Sequence, residues 1–168
     1  MLQVIQRRAE SLPVGPILAE GFEFISPLLE QAMTYWQGIK GEAKFPLRAD
    51  FEPEKIVTLW PYIVMVDVID AGEDYFVRLF GQKLVDVYGE QTGRKMSEST
   101  VPELVWDRSK LLFDYCLAKA APSYAYWPVT SPRKRALVDV EALCLPLSSD
   151  GTAPDKLISL NINSRRHS

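Results

Sequence analysis

Few residues of this sequence are placed to do chemistry. The single histidine, His167, lies at the extreme end of the chain, so a histidine-based triad or a proximal-histidine haem site has no candidate in the folded part. Cys116 and Cys144 are far apart in sequence, and with a tail histidine they do not make a metal cluster. Both have apolar neighbours and read as small buried hydrophobes in a reducing compartment rather than as a disulfide or a reactive pair. Gly81, Gly89 and Gly93 lack the spacing and the Lys-Ser/Thr ending of a phosphate loop. Asp67, Asp70, Glu73 and Asp74 crowd one stretch without a Ca²⁺-loop pattern, as a solvated turn would. Turnover would have to rest on carboxylates and tyrosines alone, and no spacing nominates a pair. The expectation is a non-enzyme with no metal and no cofactor.

Binding is better provided for. Trp60, Phe76, Tyr88, Trp106, Phe113, Tyr124, Tyr126 and Trp127 are aromatic candidates for lining an apolar pocket, part of them serving only to fill the core. Arg78 and Arg108 are the polar candidates for a carboxylate or similar head group. Arg78 reads equally as pairing across a sheet with Asp67, Asp139 or Glu141, and Arg108 as snorkelling out at a helix edge. The expected ligand set is Trp60, Phe76, Arg78, Tyr88, Trp106, Arg108 and Tyr126, suited to a small apolar or amphipathic metabolite. Net charge is −3, and basic residues form only short scattered runs such as Arg7-Arg8, Arg133-Lys134-Arg135 and Arg165-Arg166. Phosphate neutralisation needs a basic face, so nucleic acid is not an expected partner. No apolar run reaches the roughly 18 residues of a membrane span, and none has signal-peptide character, so the expected setting is the cytosol.

The elements that must position these residues are legible from periodicity. At 168 residues the chain reads as one domain: an extended arm over 1–25, a domain over 26–163 and a tail over 164–168. The arm carries Leu12, Val14, Ile17, Leu18, Phe22 and Phe24, which suggest that it lies on its own domain or on a second subunit. Ser26 and Pro27 open a helix whose stripe of Leu28, Leu29, Ala32, Met33, Trp36 and Ile39 needs a partner surface. Leu28, Leu29, Met33 and Trp36 are the expected dimer contacts. A short helix near Pro53 should end at Pro61. The organising stretch is 62–93: strands over 62–69 and 75–80 form a hairpin around a polar, Gly-containing loop and feed a short helix over 82–88. Pro102 and Glu103 mark a helix reaching about residue 119, with Val101, Leu104, Val105, Leu111, Leu112, Tyr115 and Cys116 on one side. Strands over 123–129, 136–147 and 156–162 complete the chain, with Val138, Val140, Ala142 and Cys144 on one face of the middle strand and Asp139 and Glu141 on the other. That order of elements is α+β with a five-stranded antiparallel sheet.

Tyr35-Trp36, the 46–50 segment Pro-Leu-Arg-Ala-Asp, Pro61, the 78–81 run Arg-Leu-Phe-Gly, Gly89 with Thr92-Gly93, and the 141–147 run Glu-Ala-Leu-Cys-Leu-Pro-Leu followed by Asp150-Gly151 together resemble the small, usually stand-alone bacterial PAS-domain family. The resemblance covers roughly residues 28 to 163 and lies in the ordered series of motifs. It implies a five-stranded antiparallel sheet with short helices on one face around a small pocket, and an N-terminal helix that often mediates dimerisation. Cys116 lacks the Asn-Cys-Arg-Phe setting of flavin-binding photosensors in this family, which disfavours adduct photochemistry. The resemblance therefore implies a sensory or regulatory module that binds a small molecule and signals through protein contacts, as a homodimer or with a separate signalling protein. The alternative is a ligand-free dimerising adaptor whose pocket is filled by its own side chains.

Overall fold

The computed structural model describes residues 12–16, 24–131 and 136–165. Helix α1 (Pro27–Lys40) begins where the sequence says it should. The Ser26 hydroxyl accepts from the Leu28 amide, Pro27 occupies the first turn, and Gly41 ends the helix at φ 53°. Two 3₁₀ segments follow, Arg48–Asp50 and Pro53–Tyr62. The expected short α-helix is instead 3₁₀, broken at Ile56 (φ −130°), with Pro61 inside it rather than ending it. A proline near each end and a β-branched run between them leave too few consecutive i to i+4 bonds for α geometry.

Strands β2 (Ile63–Ile69) and β3 (Asp74–Phe80) pair antiparallel around a 3₁₀ turn at Asp70–Gly72. Gly81 then turns the chain into α2 (Gln82–Tyr88). A Cβ at Gly81 would run into the Pro61 carbonyl, so only glycine fits that crossing. Helix α3 (Glu103–Lys119) leads to β4 (Ser123–Ser131), β5 (Ala136–Leu147) and β6 (Lys156–Arg165). The five expected strands form one antiparallel sheet, and β1 (Leu12–Pro16) adds a sixth strand at its edge against β4, in the order β1-β4-β5-β6-β2-β3. The other edge is covered in part, since the Val77 amide donates to Arg94 and the Gly93 amide to Val77.

Both faces of this sheet are buried. On the outer face Ile63, Met65, Tyr124, Tyr126, Leu143, Leu145, Ile158 and Leu160 meet Leu29, Ala32 and Trp36 of α1 and Ile56 and Leu59 of the 3₁₀ segment. On the inner face Val64, Val66, Tyr75, Val77, Ala142, Cys144 and Leu157 meet Leu84 of α2, Met96, and Leu112, Phe113 and Cys116 of α3. Strand alternation makes this possible, since successive residues of β5 supply opposite cores. One assignment needs correction. Leu111, read as part of the buried stripe of α3, is 62% exposed, and Phe113 takes the inward place beside Leu112 and Cys116. Residues 112, 113 and 116 share one helical face, and residue 111 falls about 100° off it.

Candidate functional site

The inner layer is where the chain could hold a ligand, and its centre is closed. Tyr75, Leu112, Phe113 and Cys116 are at most 2% exposed, and the Tyr75 and Phe113 rings meet edge to face at 5.1 Å. The Tyr75 hydroxyl donates to Asp114 at 2.6 Å, and Lys110 bridges to the other Asp114 oxygen at 2.7 Å, tying α3 to β3. Burial first, then the Asp114 carboxylate, push the Tyr75 phenol far above its ordinary range, so it stays a donor.

The rim of this layer differs. Tyr88 closes α2, Trp106 lies in the first turn and a half of α3, and both are half-buried against the inner core. Burial raises the Tyr88 phenol, and the charge of half-buried Arg108 pulls it the other way. The loop between α2 and α3 is closed over them by Gln91, itself 1% exposed. Its amide nitrogen donates to the carbonyls of Tyr88 at 3.2 Å and Gly89 at 3.4 Å and to the Thr100 hydroxyl at 2.8 Å, while its oxygen accepts from the Thr100 amide at 3.2 Å. One neutral side chain thus joins the two ends of the segment from Gly89 to Thr100, whose middle is held to β3 through Gly93, Arg94 and Ser97.

Only part of the expected ligand set meets here. Tyr88 and Trp106 pack against the inner core, and the charge of Arg108 acts on Tyr88. Phe76 and Arg78 lie on the opposite face of β3 from inward-facing Tyr75 and Val77. There Arg78 stacks on Phe76 at 4.6 Å and donates through Nε to Asp67 at 2.5 Å, and Lys156 holds the second Asp67 oxygen at 2.7 Å. Of the three acidic partners weighed for Arg78, the structure places Asp67 against it. Tyr126 belongs to the outer core, and the Trp60 indole donates locally to the Pro53 carbonyl at 2.9 Å. The side chains of Trp127, Asp139 and Arg165 lie outside the described residues, as do Arg7-Arg8, Ile17, Leu18, Phe22, Arg133-Lys134-Arg135, Arg166 and His167.

The surface for α1 is the chain's own sheet, which corrects the dimer assignment of Leu29 and Trp36. These are 0% and 3% exposed in a single chain, and the Trp36 indole donates to the Pro146 carbonyl at 2.9 Å. Leu28 and Met33 are half-buried against the same core. Between α1 and the sheet remains an apolar gap of about 10 Å³ bounded by Tyr35, Trp36, Phe51 and Leu145, at the lower limit for one water. The start of α1 is fixed by Glu141, which the sequence offered as the head of a motif and as a partner for Arg78 rather than as an anchor for this helix. Buried Glu141 accepts from the amides of Ile25 at 2.9 Å and Ser26 at 2.7 Å and from the Tyr124 hydroxyl at 2.7 Å. Its signal in the sequence is a carboxylate in register with Leu143 and Leu145 on an apolar strand face. Gln91 offers no comparable signal.

A five-stranded antiparallel core sheet with α2 and α3 on one face and a preceding helix matches the fold the sequence motifs implied, and the structure adds that the preceding helix packs on the opposite face. A family model described as PAS domain matches residues 25–160. The chain belongs to the PAS-domain family. Membership places it among sensory and regulatory modules, and the matched span starts just before α1, so the helix on the outer face is part of the family match. No curated protein and no solved structure matches the chain. Among the described residues of this PAS domain, no group of three or more His, Cys, Asp or Glu side chains could hold a metal ion, and no helix is long and apolar enough to cross a membrane.

Proposed function

We propose that this PAS domain binds a small amphipathic ligand with an anionic head group at the rim between α2 and α3, and reports occupancy through protein contacts, to a second copy or to a separate signalling protein. It binds and reports rather than catalyses, in the cytosol, where Cys116 and Cys144 rest as thiols. The observation that carries this reading is the half-buried Tyr88, Trp106 and Arg108 cluster beside a loop held by the Gln91 side chain. A ligand inserting there gains aromatic burial and a guanidinium, and must displace the loop. It therefore prefers an open state and shifts the balance of α2 and α3 on the sheet. The sheet carries that shift to α1 through β5, whose Cys144 faces inward and whose Glu141 faces α1.

The test is native mass spectrometry of the purified chain, followed by titration with medium-chain and aromatic carboxylates read by Trp fluorescence and amide shifts. Saturable shifts at Tyr88 and Trp106 are expected. Arg108→Ala should weaken binding about tenfold or more. Gln91→Ala should tighten it several-fold, because the open state costs less to reach. No retained mass and no saturable response across the series would overturn the ligand reading. A second reading, a ligand-free interaction domain, draws on the closed inner core and would then stand, tested by light scattering for a dimer.

A further inference from the structure

Cys116 and Cys144, 28 residues apart in sequence, meet on the inner face, one on α3 and the other on β5. Both are unbridged and 0% exposed. The Cys116 thiol donates to the Cys144 carbonyl at 3.6 Å, so the two residues touch across the helix–strand interface. Both are buried and unbridged as the sequence suggested, and the structure adds that they meet across a helix–strand interface. Burial first, then the neighbouring Cys116 thiol, push Cys144 up, with Ser123 pulling weakly the other way. In the closed domain Cys144 is kept as the unreactive thiol.

Beside the apolar packing of Leu112, Phe113 and Cys116, two side-chain hydrogen bonds tie α3 to the sheet around this pair. Tyr75 donates to Asp114 at 2.6 Å on one side, and the Ser123 hydroxyl donates to the Leu112 carbonyl at 2.9 Å on the other. Asp114 is 43% exposed and Lys110 37%, so the Tyr75 link is open to water. An opening of α3 that begins at this link would bring water to the thiols, lowering the cost of ionisation and admitting a small oxidant.

We propose that Cys116 and Cys144 form a dithiol–disulfide site, oxidised by a hydroperoxide when α3 lifts from the sheet, with the new bond then pinning α3 to β5. One thiol loses its proton to water and attacks the peroxide oxygen. The O–O bond breaks, water or an alcohol leaves, and a sulfenic acid forms. The second sulfur attacks the sulfenyl sulfur, the S–O bond breaks, and hydroxide leaves, taking up a proton as water. Two electrons and two hydrogens pass from the thiols to the peroxide. With the Cys116 thiol already at the Cys144 backbone, the remaining approach is that of one side chain to the other. This inference does not depend on the ligand reading.

The experiment treats the full chain with hydrogen peroxide, quenches with catalase, alkylates in denaturant and reads the intact mass and the linked peptides. Expected is a monomer lighter by two hydrogens, refractory to alkylation, with Cys116 and Cys144 in one cross-linked peptide. Its thermal midpoint should rise by about 10 °C and return on reduction. Cys116→Ala and Cys144→Ala should each stop at one oxidised sulfur. Tyr75→Phe, which frees α3 from its Asp114 link, should speed oxidation several-fold. Complete alkylation of both cysteines after peroxide treatment, or disulfides found only between chains, would overturn the site. An unchanged rate in Tyr75→Phe would overturn the gating by α3.

Discussion

The two faces of the sheet are covered by helices of similar length but by different means. On the outer face, α1 presses Leu29, Ala32 and Trp36 onto the sheet, its last residue hands over to a glycine, and a buried carboxylate grips its first amides. On the inner face, α3 presses Leu112, Phe113 and Cys116 inward, but a half-exposed ion pair, a phenol and the Gln91 clasp fix its surroundings. Apolar burial is undirected and hard to undo piecemeal, whereas rim hydrogen bonds exchange with water at little net cost. The function proposed above assigns the outer layer the role of support and the inner layer the role of the part that opens.

The sharpest way to break this comparison is to remove the anchor on each side. Glu141→Ala leaves the amides of Ile25 and Ser26 and the Tyr124 hydroxyl without their carboxylate in a buried setting. A loss of about 4 kcal/mol in urea unfolding is expected, with faster amide exchange in α1. Asp114→Ala removes the acceptor of Tyr75 and the partner of Lys110 at the half-exposed inner rim. About 1 to 2 kcal/mol is expected there, with exchange rising in α3 and not in α1. Equal losses, or the reverse order, would mean that the inner layer is as firmly built as the outer one.

How much of this was legible depended on how local the cause was. The start of α1 at Ser26 and Pro27 and its stop at Gly41 are local chemistry and could be read directly. So could the strands, whose β-branched and aromatic runs carry their own period. The partner of the α1 stripe could not be, because a sequence shows that Leu29 and Trp36 must be covered without showing by which surface. The inward face of α3 was misread at Leu111 because apolar residues lie on several sides of that helix. The split of Phe76 and Arg78 from Tyr88 and Trp106 was within reach, since alternation from Tyr75 and Val77 sends Phe76 to the opposite face. The contact of Cys116 with Cys144, and the clasp of Gln91 on Thr100, arise from tertiary approach and leave no periodic trace.

Acid offers a second comparison. Burial pushes the Asp67 carboxyl up, but hydrogen bonds and charge from Lys156 and Arg78 outweigh it and hold it below the usual carboxylate range. At Asp74, burial is likewise outweighed by the Ser97 hydroxyl, the amides of Tyr75 and Ser97 and the charge of Lys95. Each folded-state pKa lies below its unfolded value of about 4. The stability each contributes is thus complete above that value and is lost as pH falls through the lower folded value. Asp67→Asn and Asp74→Asn should each cost about 1 kcal/mol at neutral pH and almost nothing in strong acid. The two should differ in place. Asp74→Asn should speed exchange in the Met96–Glu98 turn of the inner layer, whereas Asp67→Asn should leave that turn unchanged. Matching exchange in both variants would remove the distinction between the faces at this end of the sheet.

The smallest effect is the most direct test of where strain sits. Helix α1 ends at Gly41 with φ 53°, whereas α3 ends at Ala120 with φ 51° and ψ 41°, a left-handed position that costs an L residue about 1 kcal/mol. Ala120→Gly relieves that cost but adds backbone freedom to the unfolded chain and removes a methyl partly packed against the outer core. The remainder should be a stabilisation of about 0.5 kcal/mol, visible as a small rise in the urea midpoint and as slower exchange in the last turn of α3. Gly41→Ala, entering the same positive φ from the other direction, should lose about 1 kcal/mol or more. If Ala120→Gly proved destabilising, the methyl packing would outweigh the backbone term, and the end of α3 would be a fixed contact with the outer core rather than the weak point from which the inner layer opens.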